Sequence, residues 1–208
     1  MISAIILAAG ESKRMGEPNK LLLPYRCQTL IEGIVDTVLN SDVDEVIIVL
    51  GHEAVRIKEV CQTRPVKFVQ NDNYQEGMTT SIHAGVRAAD GDADGFMICL
   101  SDLPLVEPDE LNHLIYAFQE AVSANNKHIA IPVFEGQRGN PVIFSAIYKN
   151  DILAQKGLMG CKGIIKQNPE QVLEVEMAAA HVLMDIDTPE DYQKLAKKDA
   201  RRDDTKSL

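Results

Sequence analysis

One loop near the N-terminus, LAAGESKRMGEPNK, combines small residues with positive charges. Its glycines, Gly10 and Gly16, would let backbone N–H groups approach an anion closely. Arg14 can offer paired donors to phosphate oxygens, whereas Lys13 and Lys20 offer compact point charges. The residue types therefore favour a triphosphate-binding loop, with a solvated polar loop as the alternative.

The glycine spacing in this loop separates it from two common phosphate-binding motifs. Five residues lie between Gly10 and Gly16, which gives a G-x5-G pattern. A Rossmann dinucleotide site has G-x-G-x-x-G, and a P-loop has G-x4-G-K-[ST]. Both of these motifs are therefore disfavoured.

Two aspartates are candidate metal ligands. Asp102 follows the apolar run GFMICL, and its carboxylate is a hard oxygen ligand that Mg²⁺ can share with substrate phosphates. The alternative for Asp102 is a turn cap before Pro104. Asp187 in DIDTP is either a second metal ligand or the cap of the last helix, and Asp185 ranks below it.

The segment EGMTTSIHAGV predicts a helix that begins beside Gly77 and Met78 and has hydroxyl residues, among them Ser81, in its first turn. Free N–H groups and hydroxyls at a helix N-terminus suit a phosphate or a ribose. Ordinary capping by these hydroxyls is the alternative. Asn71 either hydrogen-bonds the base or ribose, or only makes a turn.

Several other kinds of site are not supported. The five histidines form no H-E-x-x-H pattern, and no G-x-S-x-G elbow is present. The four cysteines form no C-x-x-C pair, which is typical of reduced thiols in a cytosolic protein.

Short apolar runs alternate with helical patterns as far as Phe134. The predicted strands are SAIIL, EVIIVLG, VKFVQN, GFMICL and HIAIPVF. Such alternation favours an α/β fold with a mainly parallel sheet covered on both faces. In such sheets ligands bind beyond the carboxyl ends of the strands, where the glycine loop and Asp102 would meet.

The pattern changes after Phe134. GNPVIF predicts a turn and a short strand, and LEVEM and HVLMDID predict further strands, antiparallel at the sheet edge. Thr188 as N-cap, Pro189 at the first helical position and Asp191 predict a final helix. We expect one domain over residues 1–196 and a charged, disordered tail over 197–208.

Composition and net charge indicate the class of protein and disfavour some partners. The chain has 208 residues, 45% hydrophobic and 25% charged, with a formal net charge of -10. This composition is typical of one globular domain, and the negative field disfavours nucleic acid as a partner. Neither a cationic leader region nor a membrane-length apolar run is present, so we expect a soluble cytoplasmic protein with no membrane partner.

Five blocks in order, LAAGESKRMG, NDNYQEGMTTSIHAGV, LSDLPLV, GNPVIF and DIDTPEDY, resemble the molybdenum cofactor cytidylyltransferases of the MobA-like NTP transferase family. The resemblance implies a Rossmann-like three-layer nucleotidyltransferase fold and Mg²⁺ dependence, with Mn²⁺ as the alternative. It also implies transfer of CMP from CTP to the phosphate of molybdenum-molybdopterin, giving the cytosine dinucleotide and pyrophosphate. A recipient molybdoenzyme is the implied protein partner.

The same resemblance implies roles for individual residues. It gives catalysis to Lys20, Arg14 and Asp102, metal binding to Asp102, and acceptor binding to Gly139, Asn140 and Pro141. Asp187 is the second candidate metal ligand by residue type and position. Together with the residue types described above, it predicts that nucleotide is bound by Leu7, Ala8, Ala9, Gly10, Lys13, Arg14, Gly16, Lys20, Asn71, Gly77, Met78 and Ser81.

Two positions bear on specificity. Guanylyl-transferring relatives typically have two glycines where this chain has Ala9 and Gly10, so Ala9 favours cytosine. Relatives commonly have histidine where this chain has Asn140, which cannot titrate, so an acid–base role there is in doubt. The alternatives are a GTP-using enzyme, an NTP transferase acting on a sugar phosphate, and a non-catalytic molybdopterin carrier.

Overall fold

The structure, a computed structural model, describes residues 1–15, 19–158 and 160–206, with side chains as far as Lys197. Within these ranges the strands are β1 (Ile2–Ala8), β2 (Pro24–Tyr25), β3 (Gln28–Thr29), β4 (Glu45–Leu50), β5 (Lys67–Gln70), β6 (Gly95–Leu100), β7 (Ile129–Phe134), β8 (Gln137–Arg138), β9 (Val142–Ser145) and β10 (Val172–Glu176). The α-helices are α1 (Leu30–Leu39), α2 (Ala54–Cys61), α3 (Met78–Ala88), α4 (Pro108–Ser123), α5 (Lys149–Ala154), α6 (Lys162–Gln167) and α7 (Pro189–Lys206).

The main sheet has the strand order β10-β7-β9-β6-β1-β4-β5, with β8 paired to β7. Strand β1 lies at its centre and pairs in parallel with β4 and β6. Strands β4 and β5 are parallel, as are β7 and β10. The mainly parallel α/β sheet predicted from the alternating pattern is confirmed.

The location predicted for the antiparallel strands was wrong. Strand β9 runs antiparallel between β6 and β7 inside the sheet, whereas the edge strand β10 is parallel to its neighbour. A short connection from β7 reverses the chain direction, and all four residues of β9 are buried, as an interior strand requires. HVLMDID forms a 3₁₀ turn at Ala180–Leu183 in place of a strand.

Two apolar clusters occupy opposite faces of the sheet. Alternate residues of β1 belong to different clusters, with Ile6 on one face and Ile5 on the other. The first cluster includes buried residues of α1, α2 and α4, and the second includes those of α3, α5 and α6. The molecule therefore has the three layers, helices, sheet and helices, that the sequence predicted.

The last helix begins as its residues predicted. The Thr188 hydroxyl donates to Asp191 Oδ2 at 2.7 Å and accepts from the Asp191 backbone N–H at 3.2 Å. The backbone is helical as far as Lys206, and the domain boundary at residue 196 stays a prediction. The sequence after Pro189 contains neither glycine nor proline, the residues that commonly end a helix.

None of the helices in the described ranges is both long and apolar enough to cross a bilayer.

Candidate active site

A cleft of about 410 Å³ opens at the carboxyl ends of β1 and β6. The loop after β1 forms one wall, and Leu100, Ser101 and Asp102 at the end of β6 form another. The first turn of α3 and Asp187 complete the lining. The cleft thus lies where open α/β sheets bind their ligands.

Lys20 is the centre of an ionic cluster in this cleft. Its Nζ donates to Asp102 Oδ2 at 2.7 Å, to Asp187 Oδ1 at 3.0 Å and to the Ile186 carbonyl at 2.8 Å. The Lys20 side chain is only 12% exposed. Its charge is therefore held in place and weakly screened by solvent.

Arg14 and Lys13 lie farther out. The Arg14 guanidinium pairs with Asp187 Oδ2 at 2.9 Å, although its side chain is 72% exposed. Lys13 pairs with Glu11 at 2.8 Å, and the hydrogen bond to Glu11 raises the pKa of Lys13. Both cations can turn towards a bound anion, since exposed ion pairs are worth little.

A buried asparagine positions Lys20. Asn19 Oδ1 accepts from the Leu21 backbone N–H at 3.1 Å and from the Ser12 hydroxyl at 3.3 Å. These bonds cap the 3₁₀ turn Lys20–Leu22 and tie it to the glycine loop. Our sequence analysis missed Asn19, although asparagine directly before a short helical turn is a capping signal.

The two candidate metal ligands belong to segments that are bonded together. The Ile186 N–H donates to the Asp102 carbonyl at 2.9 Å, so the segment carrying Asp187 lies against the end of β6. Partial burial, followed by the negative charges of Asp187 and Asp102, raises the pKa of Asp185. Such crowding of carboxylates favours a bound cation.

These carboxylates fit a divalent cation. Asp102 Oδ1 is buried and has no hydrogen-bond partner among the described residues, so one hard oxygen ligand is free. Across the same part of the chain, no three acidic, histidine or cysteine side chains converge on one point. A cation here would therefore need substrate phosphate oxygens as well, which is how Mg²⁺ is commonly held.

The structure brings most of the predicted site residues to the cleft. Those that line it are Leu7, Ala9, Gly10, Lys13, Arg14, Lys20, Gly77, Met78, Ser81, Asp102 and Asp187. Ala8 does not: it is buried in the core beneath α1. Gly16 lies outside the described residues.

Asn71 also lies behind the cleft and not on its surface. It is 6% exposed, and its Nδ2 donates to the Thr80 and Ser81 hydroxyls at 3.0 Å each. Its Oδ1 accepts from the Asn73 N–H. Asn71 thus positions Ser81, which lines the cleft.

Tyr74 is a cleft residue that our sequence analysis missed. It lies in the 3₁₀ turn before α3 and packs closely against Gly51. A Cβ added at Gly51 would lie 2.7 Å from the Ala9 Cβ and 2.8 Å from the Tyr74 Cβ. Gly51 therefore allows Ala9 and Tyr74 to form one continuous wall.

Ser101 was also missed, although it directly precedes Asp102. Its hydroxyl donates to the Leu7 carbonyl at 2.7 Å. This bond joins the ends of β1 and β6 at the floor of the cleft.

The predicted acceptor turn lies beside this cleft, not in it. The Asn140 N–H donates to the Val182 carbonyl at 3.0 Å, and a Cβ at Gly139 would lie 2.5 Å from the same oxygen. The Asn140–Pro141 peptide is cis. Asn140 lines a second cavity of about 70 Å³, whereas Pro141 contacts the α1 side of the core.

The family is shown by a match over most of the chain. Residues 4–172 match the model of the MobA-like NTP transferase domain. The chain belongs to this family. As a MobA-like NTP transferase it is a nucleotidyltransferase, an enzyme class that uses nucleoside triphosphates.

Named relatives of this MobA-like chain differ in function. Purine catabolism protein PucB of Bacillus subtilis is 32% identical and aligns over 90% of this chain and 92% of its own length. Nicotine blue oxidoreductase of Paenarthrobacter nicotinovorans is 27% identical over 93% and 96%. Molybdenum cofactor cytidylyltransferase of Escherichia coli is 24% identical over 92% and 93%.

Solved structures of other proteins have a similar fold. A nucleotidyl transferase from Methanothermobacter has a TM-score of 0.83 at 28% identity, covering 97% of this chain and 99% of that one. Rv0371C from Mycobacterium tuberculosis, in complex with manganese, has a TM-score of 0.77 at 25% identity, covering 93% and 97%. The nucleotidyltransferase fold implied by the sequence motifs is confirmed.

Proposed function

We propose that this MobA-like transferase moves CMP from CTP to the phosphate of molybdenum-molybdopterin, giving molybdopterin cytosine dinucleotide and pyrophosphate. The observation that carries the proposal is the contact of Lys20 Nζ with both Asp102 and Asp187 in the cleft. This cluster places a positive charge beside two hard oxygen ligands, which is what a metal-bound triphosphate requires.

The reaction needs no nucleophile from the protein. A phosphate oxygen of the acceptor forms a bond to the α-phosphorus of CTP. The bond from that phosphorus to the oxygen bridging it to the β-phosphate breaks, and the electron pair leaves with pyrophosphate. Because the attacking and leaving oxygens must be roughly in line, catalysis consists of positioning and charge neutralisation.

Lys20 and Arg14 have distinct parts in this scheme. Lys20, held at the floor of the cleft, neutralises charge near the breaking bond. Arg14 lies farther out and would follow the departing pyrophosphate, since its exposed side chain can leave Asp187. Backbone N–H groups around Gly10 can donate hydrogen bonds to the phosphates. The space beside Gly10 is open, because an added Cβ would meet nothing within 4 Å.

Asp102 and Asp187 would hold Mg²⁺, or Mn²⁺ as the alternative, whose charge neutralises phosphate oxygens during transfer. The buried, unpartnered Oδ1 of Asp102 supports this assignment. The manganese complex of a related solved structure is consistent with it.

The choice of CTP rests on Ala9 and on the relative from Escherichia coli named as a cytidylyltransferase. The Ala9 methyl forms part of the cleft wall with Tyr74, a position where guanylyl-transferring relatives typically have glycine. A pyrimidine needs less room than a purine at such a wall. The product would then pass to a recipient molybdoenzyme.

Mass spectrometry of the product tests the proposal. The enzyme would be incubated with molybdenum-loaded molybdopterin, Mg²⁺ and each of the four NTPs in turn. A pterin product that has gained a cytidylyl group, which is CMP less one water, is expected with CTP alone. A GMP adduct would support the GTP-using enzyme, a nucleotidylated sugar phosphate would support that acceptor class, and tight pterin binding without any adduct would support a carrier.

A further inference from the structure

A second cavity joins the active-site cleft on the side of the acceptor turn. It has a volume of about 70 Å³ and shares Met78 and Leu100 with the cleft. Most of its lining is apolar and comes from the sheet, α3 and α6, including Ile82, Ile98, Val142, Phe144 and Ile165. Met78, which is 44% exposed, and Leu100 line both spaces, so the cleft and the cavity share an apolar wall.

Lys162 is the one basic side chain in the lining of this second cavity. It is the first residue of α6 and is exposed. Its ammonium has no hydrogen bond or ion pair with any side chain that the structure describes. It differs in this from Lys13, Arg14 and Lys20 in the cleft, each of which contacts a carboxylate.

An in-line transfer needs a second anion site. The acceptor phosphate must approach the α-phosphorus from the side opposite the departing pyrophosphate. The cations of the glycine loop are committed to the triphosphate in our scheme. A free cation beside an apolar cavity suits an acceptor that carries a phosphate on a flat ring system.

We propose that Lys162 and the second cavity form part of the acceptor site, with the Lys162 ammonium contacting the acceptor phosphate and the apolar side chains of the cavity packing against one edge of the acceptor ring. This inference rests on the proposed function and adds a binding residue and a cavity to it. Asn140 lies in the same lining and can donate to or accept from polar atoms of the ring.

Three variants test the inference. Lys162→Ala removes the charge, Lys162→Arg retains it, and Lys166→Ala is the matched control, because Lys166 is an exposed lysine of the same helix outside the cavity lining. Equilibrium dissociation constants would be measured for molybdenum-loaded molybdopterin and, separately, for CTP. Circular dichroism would establish that each variant is folded.

The expected result is an acceptor Kd raised about 10-fold or more in Lys162→Ala, as for loss of a charged hydrogen bond. Lys162→Arg should recover most of the affinity, and the Kd for CTP should not change. Lys166→Ala should match the wild type. An unchanged acceptor Kd in Lys162→Ala, or equal weakening in Lys166→Ala, would overturn the inference.

The two proposals can fail separately. A wild-type chain that binds molybdopterin but makes no dinucleotide refutes the proposed reaction. The acceptor Kd values of the wild type and Lys162→Ala would still show whether Lys162 binds the acceptor. Dinucleotide formation with an unaltered Lys162→Ala acceptor Kd refutes only the inference. A wild-type chain that binds no molybdopterin overturns both.

Discussion

The ammonium of Lys20 lies 2.7 Å from Oδ2 of Asp102, although 82 positions separate the two residues. This contact joins the glycine loop after β1 to the end of β6. It places a positive charge at the point where the triphosphate and its metal ion would meet. In a chain with a net charge of -10, a divalent cation held by the carboxylates of Asp102 and Asp187 would add the positive charge that an anionic substrate needs.

Lys20→Ala should lower kcat by about 10²–10³-fold, because a preorganised charge at the reacting phosphates is lost. Steady-state pyrophosphate release measures this loss, and Lys166→Ala, a surface lysine outside the cleft lining, is the matched control. A folded Lys20→Ala enzyme with wild-type turnover would remove Lys20 from the mechanism.

Asp102→Asn should raise the Mg²⁺ concentration needed for half-maximal activity and lower maximal turnover by about 10²–10³-fold. The amide keeps the side-chain shape but loses the negative charge that a divalent cation requires. A Mg²⁺ titration of activity measures the effect, with the exposed Asp109→Asn as control. The same Mg²⁺ dependence as the wild type would argue against metal binding by Asp102.

Local sequence signals predicted much of this arrangement. The final helix begins as Thr188, Pro189 and Asp191 indicated, because capping depends only on neighbouring residues. The parallel strands followed from apolar runs that needed burial on both faces. Asp102 was predicted from its position at a strand end, where ligands bind in such sheets, and Lys20 was predicted from its place in the glycine loop.

Other features depend on contacts between distant segments and left no local signal. Strand β9 lies inside the sheet, between β6 and β7. The four residues of β9 carry no signal for which strands they pair with. Asn71 looked like a ligand-binding residue but is turned inward towards Ser81. Tyr74 forms part of the cleft wall because it packs against Gly51, and the two residues come together only in the folded chain.

Asn71→Ala should destabilise the fold by about 1–3 kcal/mol, because the Thr80 and Ser81 hydroxyls lose a buried donor. The KM for CTP should rise more than kcat falls, since Ser81 lines the cleft without reaching the reacting atoms in our scheme. Urea unfolding and steady-state kinetics measure these effects, with the exposed neighbour Asp72→Ala as control. Equal stability of the two variants would show that the Asn71 bonds contribute little.

Gly51→Ala should cost about 1–3 kcal/mol of stability through overpacking, since the new methyl would lie 2.7 Å from the Ala9 Cβ. Displacing Ala9 and Tyr74 should also weaken CTP binding. Thermal unfolding and a CTP titration measure both effects. Gly91→Ala is the matched control, because a Cβ there meets nothing within 4 Å; similar behaviour of the two variants would contradict the proposed wall.

Pyrophosphate release from each of the four NTPs, with Mg²⁺ and with or without molybdenum-loaded molybdopterin, tests the central claim most directly. The account predicts release with CTP only, and only when the pterin is present. Release that is independent of the pterin, or no release with any NTP, would contradict it.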